Sequence, residues 1–351
     1  MSDHATHESM MRRCLQLASS AFGFTAPNPM VGSVIVHDGK IIGEGFHRQY
    51  GQAHAEVNAI ASVHDQSLLE QSTLYVNLEP CSHFGKTPPC ADLIIEKKIP
   101  RVVIGSVDPN PLVAGKGIQR LRAHGVEVIG DVLVNECEEL NKRFFTFHRF
   151  HRPFIILKWA QSRDGYMDRV RNGKKGINWI TGDDARRIVH LWRSQEQSIL
   201  VGGTTVRNDN PSLTVREIGG KNPLRLVISR HGNFDLSSAI LNDEANTIVY
   251  NEVRDEKNGT VEWKKVSFQN DLVNMILSDL YERRIQSVII EGGASTLNSF
   301  IEKGLWDEAR VLTGRIDFLE GLKAPLLNGE IFDQTELESC RIQYFRRHKS
   351  S

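Results

Sequence analysis

Short apolar runs of strand length alternate with helix-length amphipathic segments along this chain, break at a basic aromatic stretch, and then resume. No other feature constrains the fold as much, because strand–helix alternation is what a sheet covered by helices requires. In the first half the spacing predicts a helix over 8–20, with Met11, Leu15 and Ala18 on one face. A hairpin follows over 31–46, turning at Asp38-Gly39, a strong two-residue turn signal. Helices are predicted at 54–61, 90–98, 118–124 and 135–143, and strands at 73–78, 101–107 and 126–129. The stretch FHRFHRPF, ending at Pro153, places a boundary near residue 150 and gives two α/β domains, 1–150 and 151–351. At about 150 residues per domain, 351 residues fit that division. In the second half the strands are 154–160, 198–203, 224–229, 246–250, 287–293 and 309–314. Helices fit 183–195, 271–282 and 294–303, and apart from the strand at 246–250 the polar stretch 230–270 yields no resolved short elements.

Composition narrows the function classes. Lys+Arg and Asp+Glu are 43 each, which argues against a broad basic surface for nucleic acid or anionic membrane while leaving room for a local phosphate pocket. Five cysteines without regular spacing do not form a secreted disulfide framework. The N-terminal residues lack an apolar signal core, and no run reaches the roughly 18 apolar residues of a membrane span. A cytoplasmic protein is expected.

Three residues suit a metal. His54 opens a predicted helix, Cys81 follows Pro80 at the end of a strand, and Cys90 follows Pro89 at the start of the next helix. Catalytic zinc takes three protein ligands and keeps one open position. A Pro-Cys pair suits a helix start, where a missing N–H costs little and the dipole favours a thiolate. Glu56, two residues past His54, is the candidate to carry a proton from water to a leaving amine. Positions i and i+2 of a helix point about 200° apart, so spacing alone does not aim both at one spot, though a His54 at the non-helical entry relaxes that. His-x-Glu followed by Pro-Cys and a second Cys matches the order of the zinc deaminase pattern, except that eight residues separate the cysteines instead of two. Taken singly, the same residues would serve as buried structural cysteines and an unrelated histidine.

The insert EPCSHFGKTPPC, with PNPMVGSVIV, GFHRQYGQAHAEVNA and VDPNPLVAGKG around it, resembles the bifunctional riboflavin-biosynthesis deaminase–reductase family over most of residues 10–145. The resemblance implies a cytidine-deaminase-like α/β/α sandwich. It implies deamination of 2,5-diamino-6-ribosylamino-4(3H)-pyrimidinone 5′-phosphate, then reduction of the ribosyl group to ribityl by NADPH. It makes His54, Cys81 and Cys90 the zinc ligands and Glu56 the proton donor. Asn28, His47, His83, Lys86, Asp108 and Asn110 become contacts to the pyrimidine ribose phosphate. Lys86 and His83 suit a phosphate, and an amide such as Asn28 can read a heterocycle edge.

No GxGxxG follows any strand of the second half. Two Gly-Gly turns stand instead, at 202–203 and 292–293, each after a β-rich run; the second opens a helix, where N–H groups can face a pyrophosphate. LKWAQSRDG, NWIT, LWRSQEQSILVGGTTVRNDNPSLTVR and IIEGGAST resemble the family's reductase domain, which implies a dihydrofolate-reductase-like fold. That resemblance makes Ala160, Trp179, Thr205, Asp209, Ser229 and Gly293 NADPH contacts, and Arg193, Leu213, Arg216 and Glu291 substrate contacts. Arg193 and Arg216 suit a sugar phosphate by bidentate geometry. Lys158 is a candidate to protonate the opened sugar. The chain departs from the family between Gly165 and Trp179, where the loop MDRVRNGKKGIN is longer and basic, and at Arg163 and Ile177.

Two rivals stay open at this level. One is a zinc deaminase acting on another base, in a nucleoside or in nucleic acid. The other is a zinc-stabilised protein whose second half is a nucleotide-binding regulatory domain. The architecture is expected to assemble as a homo-oligomer.

Overall fold

The computed structural model describes residues 3–82, 88–111, 113–235 and 237–348. The chain divides into two compact units, Met1–His151 and Arg152–Ser351. Among the described residues no helix is long and apolar enough to cross a membrane.

The first unit runs α1 (Asp3–Ser19), β1 (Gly32–His37), β2 (Lys40–Phe46), α2 (Ala55–Ser62), β3 (Thr73–Leu78), α3 (Cys90–Glu96), β4 (Arg101–Ser106), α4 (Lys116–Ala123), β5 (Glu127–Ile129), α5 (Val134–Leu140) and α6 (Lys142–Phe150). Its sheet has the order β2-β1-β3-β4-β5, antiparallel at the hairpin and at β1–β3, parallel from β3 to β5. The period of two sends Ile35, Leu74, Val76, Val102 and Ile104 to one core, and Val34, Val36, Tyr75 and Val103 to another. Both faces are therefore covered, as the near-continuous apolar strands require.

The second unit runs β6 (Phe154–Gln161), β7 (Tyr166–Asp168), α7 (Asp183–Gln195), β8 (Ser198–Gly202), α8 (Gly203–Asp209), β9 (Leu224–Ile228), β10 (Thr247–Asn251), β11 (Glu256–Asn258), β12 (Val261–Lys265), α9 (Leu272–Glu282), β13 (Ser287–Ile290), α10 (Ala294–Glu302), β14 (Glu308–Gly314), β15 (Leu322–Lys323), β16 (Gly329–Glu336) and β17 (Cys340–Arg347). Ten strands form one sheet in the order β11-β12-β10-β9-β8-β13-β6-β14-β17-β16. It is parallel from β12 to β14 and antiparallel at both ends. Ile155, Leu157, Leu200, Leu226 and Ile290 face one core, while Ile156, Val201, Val227 and Ile289 face the other.

The expected alternation is present, with informative differences. The first helix starts at Asp3. The first half of the basic aromatic stretch, 147–150, is the last turn of the helix α6, whose Phe144, Phe145 and Phe147 are buried. The first Gly-Gly turn also opens a helix, α8, with Gly202 as its N-cap. In the stretch 230–270, β10 matches the strand expected at 246–250, while β11 and β12 add to it, and no expected element covers the C-terminal hairpin β16–β17.

Candidate functional sites

The first site lies at the carboxyl ends of the parallel strands β3 and β4, where ligands gather in such sheets. His54 is the N-cap of α2, with φ −72° and ψ 165°. That extended conformation frees its ring from the helical i, i+2 opposition to Glu56. Cys90 is the first residue of α3, after the N-cap Pro89. Cys81, by contrast, sits in coil three residues beyond β3 and not in a helical turn. The ligand atoms of His54, Cys81 and Cys90 all lie within 4.8 Å of one another. His54 Nδ1 is 3.3 Å from Cys90 Sγ and 3.6 Å from Cys81 Sγ, and the Cys90 main-chain N–H donates to Cys81 Sγ at 3.3 Å. Hydrogen bonds from Cys90 and His54 hold the Cys81 thiol down to about 4, against its burial. The Cys81 partner raises His54 to about 9. One imidazole and two sulfurs converging from three elements fit zinc in both donor type and number.

Glu56 is 3% exposed, and burial pushes its carboxyl above the usual range, against the pull of His54. His47 is also buried. Its Nδ1–H donates to the Ala53 carbonyl at 3.0 Å, so Nε2 accepts from Asn28 Nδ2 at 3.2 Å. The His47 ring stands edge-on to His54, with centroids 5.6 Å apart. Burial lowers the His47 pKa and keeps the ring neutral. Asp108 is buried and pushed up to about 7 by desolvation, while its Oδ1 accepts the Asn110 N–H at 2.8 Å. His83 and Lys86 lie outside the described residues.

The second site is a cavity of about 430 Å³ wholly within the second unit. It opens over the carboxyl ends of the adjacent strands β8, β13 and β6. Lys158, Ala160, Trp179, Arg193, Thr205, Asp209, Leu213, Arg216, Glu291 and Gly293 all line it. Ser229 does not; it lies beneath the start of α8, where a Cβ on Gly203 would come within 2.8 Å of its side chain. Glu291 is the electrostatic centre. Arg193 grips it through Nε at 3.2 Å and Nη2 at 2.8 Å, and Lys158 Nζ lies 3.6 Å away. Burial alone would raise the Glu291 pKa, but the two cations outweigh it and hold the carboxyl down to about 2. Burial pulls Lys158 down, against Glu291. The bidentate face of Arg193 expected for a phosphate is thus already turned to Glu291. Arg216 donates through Nη1 to Thr214 Oγ1 at 3.0 Å.

Among the lining residues that sequence reasoning missed, Asp168, Arg171, Asn178 and His190 carry polar contacts. Arg171 bonds Asp168 and reaches Asp209 at 2.6 Å and the Gly176 carbonyl at 2.8 Å; Asn178 donates to Asp168 at 2.6 Å. The basic loop that departs from the family is therefore built into the cavity wall, while Arg163 pairs with Asp317. His190 Nδ1 accepts the Arg216 main-chain N–H at 3.0 Å, which leaves its proton on Nε2. Burial, then Arg193 and Arg216, lower His190 to about 4. Only the loop's unusual length and charge signalled any of these.

Residues 4–106 match the family model of the cytidine and deoxycytidylate deaminase zinc-binding region, and residues 153–343 match that of the RibD C-terminal domain. Riboflavin biosynthesis protein RibD of Aquifex aeolicus is 41% identical over 320 residues, covering 90% of this chain and 88% of that protein. RibD of Escherichia coli is 36% identical, covering 86% and 85%. A diaminohydroxyphosphoribosylaminopyrimidine deaminase/5-amino-6-(5-phosphoribosylamino)uracil reductase of Thermotoga maritima superposes with a TM-score of 0.87 at 37% identity, covering 98% of this chain and 99% of that one. A zinc-binding deaminase domain and a reductase domain on one chain, with zinc and NADPH as cofactors and a small molecule as substrate, follow from these matches and the His/Cys cluster: the chain belongs to the RibD family of bifunctional riboflavin-biosynthesis enzymes.

Proposed function

We propose that residues 1–150 hydrolytically deaminate 2,5-diamino-6-ribosylamino-4(3H)-pyrimidinone 5′-phosphate, and that residues 151–351 then reduce the ribosyl group of the product to ribityl with NADPH. The observation that carries the first step is the convergence of His54, Cys81 and Cys90 beside the buried Glu56. In this reading those three residues hold zinc, which when bound supplies Lewis acidity and lowers the pKa of a water to roughly 7. Glu56 accepts the proton of the attacking water and returns it to the departing amine, so that C–NH2 and water become C=O and ammonia. The neutral His47 fixes Asn28 by one hydrogen bond, and Asn28, His47, Asp108 and Asn110 read the substrate. His83 and Lys86 take its phosphate.

For the second step, the cavity over β8, β13 and β6 supports the reading of Ala160, Trp179, Thr205, Asp209 and Gly293 as the cofactor wall, with Ser229 acting from beneath α8. Arg193, Leu213, Arg216 and Glu291 contact the substrate. Lys158, desolvated and next to Glu291, is placed in this reading to give a proton to the opened sugar, for which NADPH, when bound, would supply the hydride. The reading includes a homo-oligomer in the cytoplasm with no affinity for nucleic acid; five unpaired cysteines suit a reducing compartment.

The test feeds the purified protein the diaminopyrimidinone phosphate with and without NADPH. Ammonia release in both, with nicotinamide oxidation following when NADPH is present, is the expected result. Ammonia release with NADPH bound but never oxidised favours a regulatory second domain, and no ammonia from this substrate favours another base or nucleoside.

A further inference from the structure

Glu79 is 4% exposed, and no step above uses it. Its carboxylate collects four main-chain N–H groups. Oε1 accepts from Gly117 at 2.9 Å and Ile118 at 3.2 Å, and Oε2 accepts from Gly115 at 2.9 Å and Asp108 at 3.3 Å. Gly115, Gly117 and Ile118 form the start of α4, whose N-cap Gly115 has no side chain to satisfy those donors. A carboxylate there also faces the positive end of the helix. Asp108 stands at the opposite end of the same loop, just past β4.

The loop is braced internally as well. Asp108 Oδ1 accepts the Asn110 N–H, and the Asn110 carbonyl accepts the Val113 and Ala114 N–H groups at 2.8 and 2.9 Å. Behind it Gly117 backs onto the neighbouring segment so closely that a Cβ would lie 2.0 Å from the Pro80 carbonyl oxygen. Glu79 itself is tied to β4 by its N–H, which donates to the Ser106 carbonyl at 2.9 Å. One side chain thus holds both ends of the loop bearing Asp108 and Asn110, from a segment two residues ahead of Cys81.

We infer that Glu79 is a positioning residue of the deaminase reaction, setting the distance between the metal-ligand segment and the loop that reads the substrate. The carboxylate that closes the start of α4 also reaches Asp108 at the loop's other end, and hydrogen bonds to charged acceptors are stronger than neutral ones and dictate local geometry. The inference rests on Asp108 and Asn110 being substrate contacts.

Glu79→Gln keeps the side chain's size but turns one acceptor into a donor facing N–H groups. The KM for deamination is expected to rise by about tenfold or more, with zinc content and NADPH-dependent reduction of the deaminated product unchanged. Glu79→Gln and Asn110→Ala together should raise KM by less than the product of their single effects, because both act through one loop. An unchanged KM, additive effects, or joint loss of zinc and reductase activity would overturn the inference. If Glu79→Gln does not fold, Gly115→Ala carries the test. Its Cβ meets nothing within 4 Å, but φ +75° strains the loop with Glu79 intact. A several-fold rise in KM supports the inference, and an unchanged KM overturns it. Wild-type protein inactive on the diaminopyrimidinone phosphate would instead overturn the functional reading itself, so the two failures are separable.

Discussion

His54, Cys81 and Cys90 come from the starts of two helices and the coil beyond one strand, all between positions 54 and 90, whereas the reductase cavity draws on residues from Lys158 to Leu322. In the first site donor type does the selecting: an imidazole and two sulfurs need only meet, and ordinary strand–loop–helix connections bring them within 4.8 Å. In the second site shape and charge balance do the selecting. There Glu291 is held ionised by Arg193 and Lys158, and Asp209 is faced by Arg171 from a loop far away in sequence. A metal site therefore tolerates change away from its ligands, while a charge-balanced cavity transmits change among its partners.

The largest effect is expected from Glu56→Gln, which should lower ammonia release by about 10²–10⁴-fold while zinc content and NADPH oxidation on the deaminated product persist. Measuring both half-reactions on one preparation checks it; a loss of reductase turnover would show that the two sites are not separable. Next is Glu291→Gln. Removing one member of a buried charge cluster typically costs about 3–5 kcal/mol, so the reductase unit should melt lower and lose turnover while ammonia release stays at wild-type levels. Calorimetry and the two assays together read this.

Arg171→Met should act more mildly. It strips the counter-charge from Asp168 and Asp209 in a cavity meant for an anionic cofactor, and the KM for NADPH should rise by about tenfold with deamination untouched. The smallest effect is on pH dependence. His190 is held at about 4 in the folded chain, below its ordinary value of 6.5, so its neutral form stabilises the fold above that ordinary pKa. That contribution is lost as pH falls from about 6.5 toward 4, because only the unfolded chain takes up the proton there. His190→Asn keeps an acceptor for the Arg216 N–H and should flatten the decline in melting temperature over this window.

The alternation of strands and helices was legible because both faces of each sheet are buried, which writes apolar runs directly into the sequence. The C-terminal hairpin was not, because β16 is almost entirely exposed and carries no apolar alternation. The helix α6 was hidden by its composition: His148 and Arg149 among phenylalanines read as a basic linker, although Phe144, Phe145 and Phe147 turn inward. At the metal site residue type and order marked the ligands, and only the conformation of His54 had to be supplied by the fold. In the cavity the family resemblance located the lining, but the Arg171 bridge and the fixed tautomer of His190 arise from tertiary contacts that leave no local trace in sequence.

The central claim, that a three-residue metal site drives one activity independently of the other, is tested most directly by metal analysis of wild-type protein and Cys90→Ser, with both half-reactions measured. About one zinc per wild-type chain is expected. Cys90→Ser should lose zinc together with ammonia release, while NADPH-dependent reduction of the deaminated product continues. Full ammonia release from zinc-free protein, or reduction that disappears along with the metal, would contradict it.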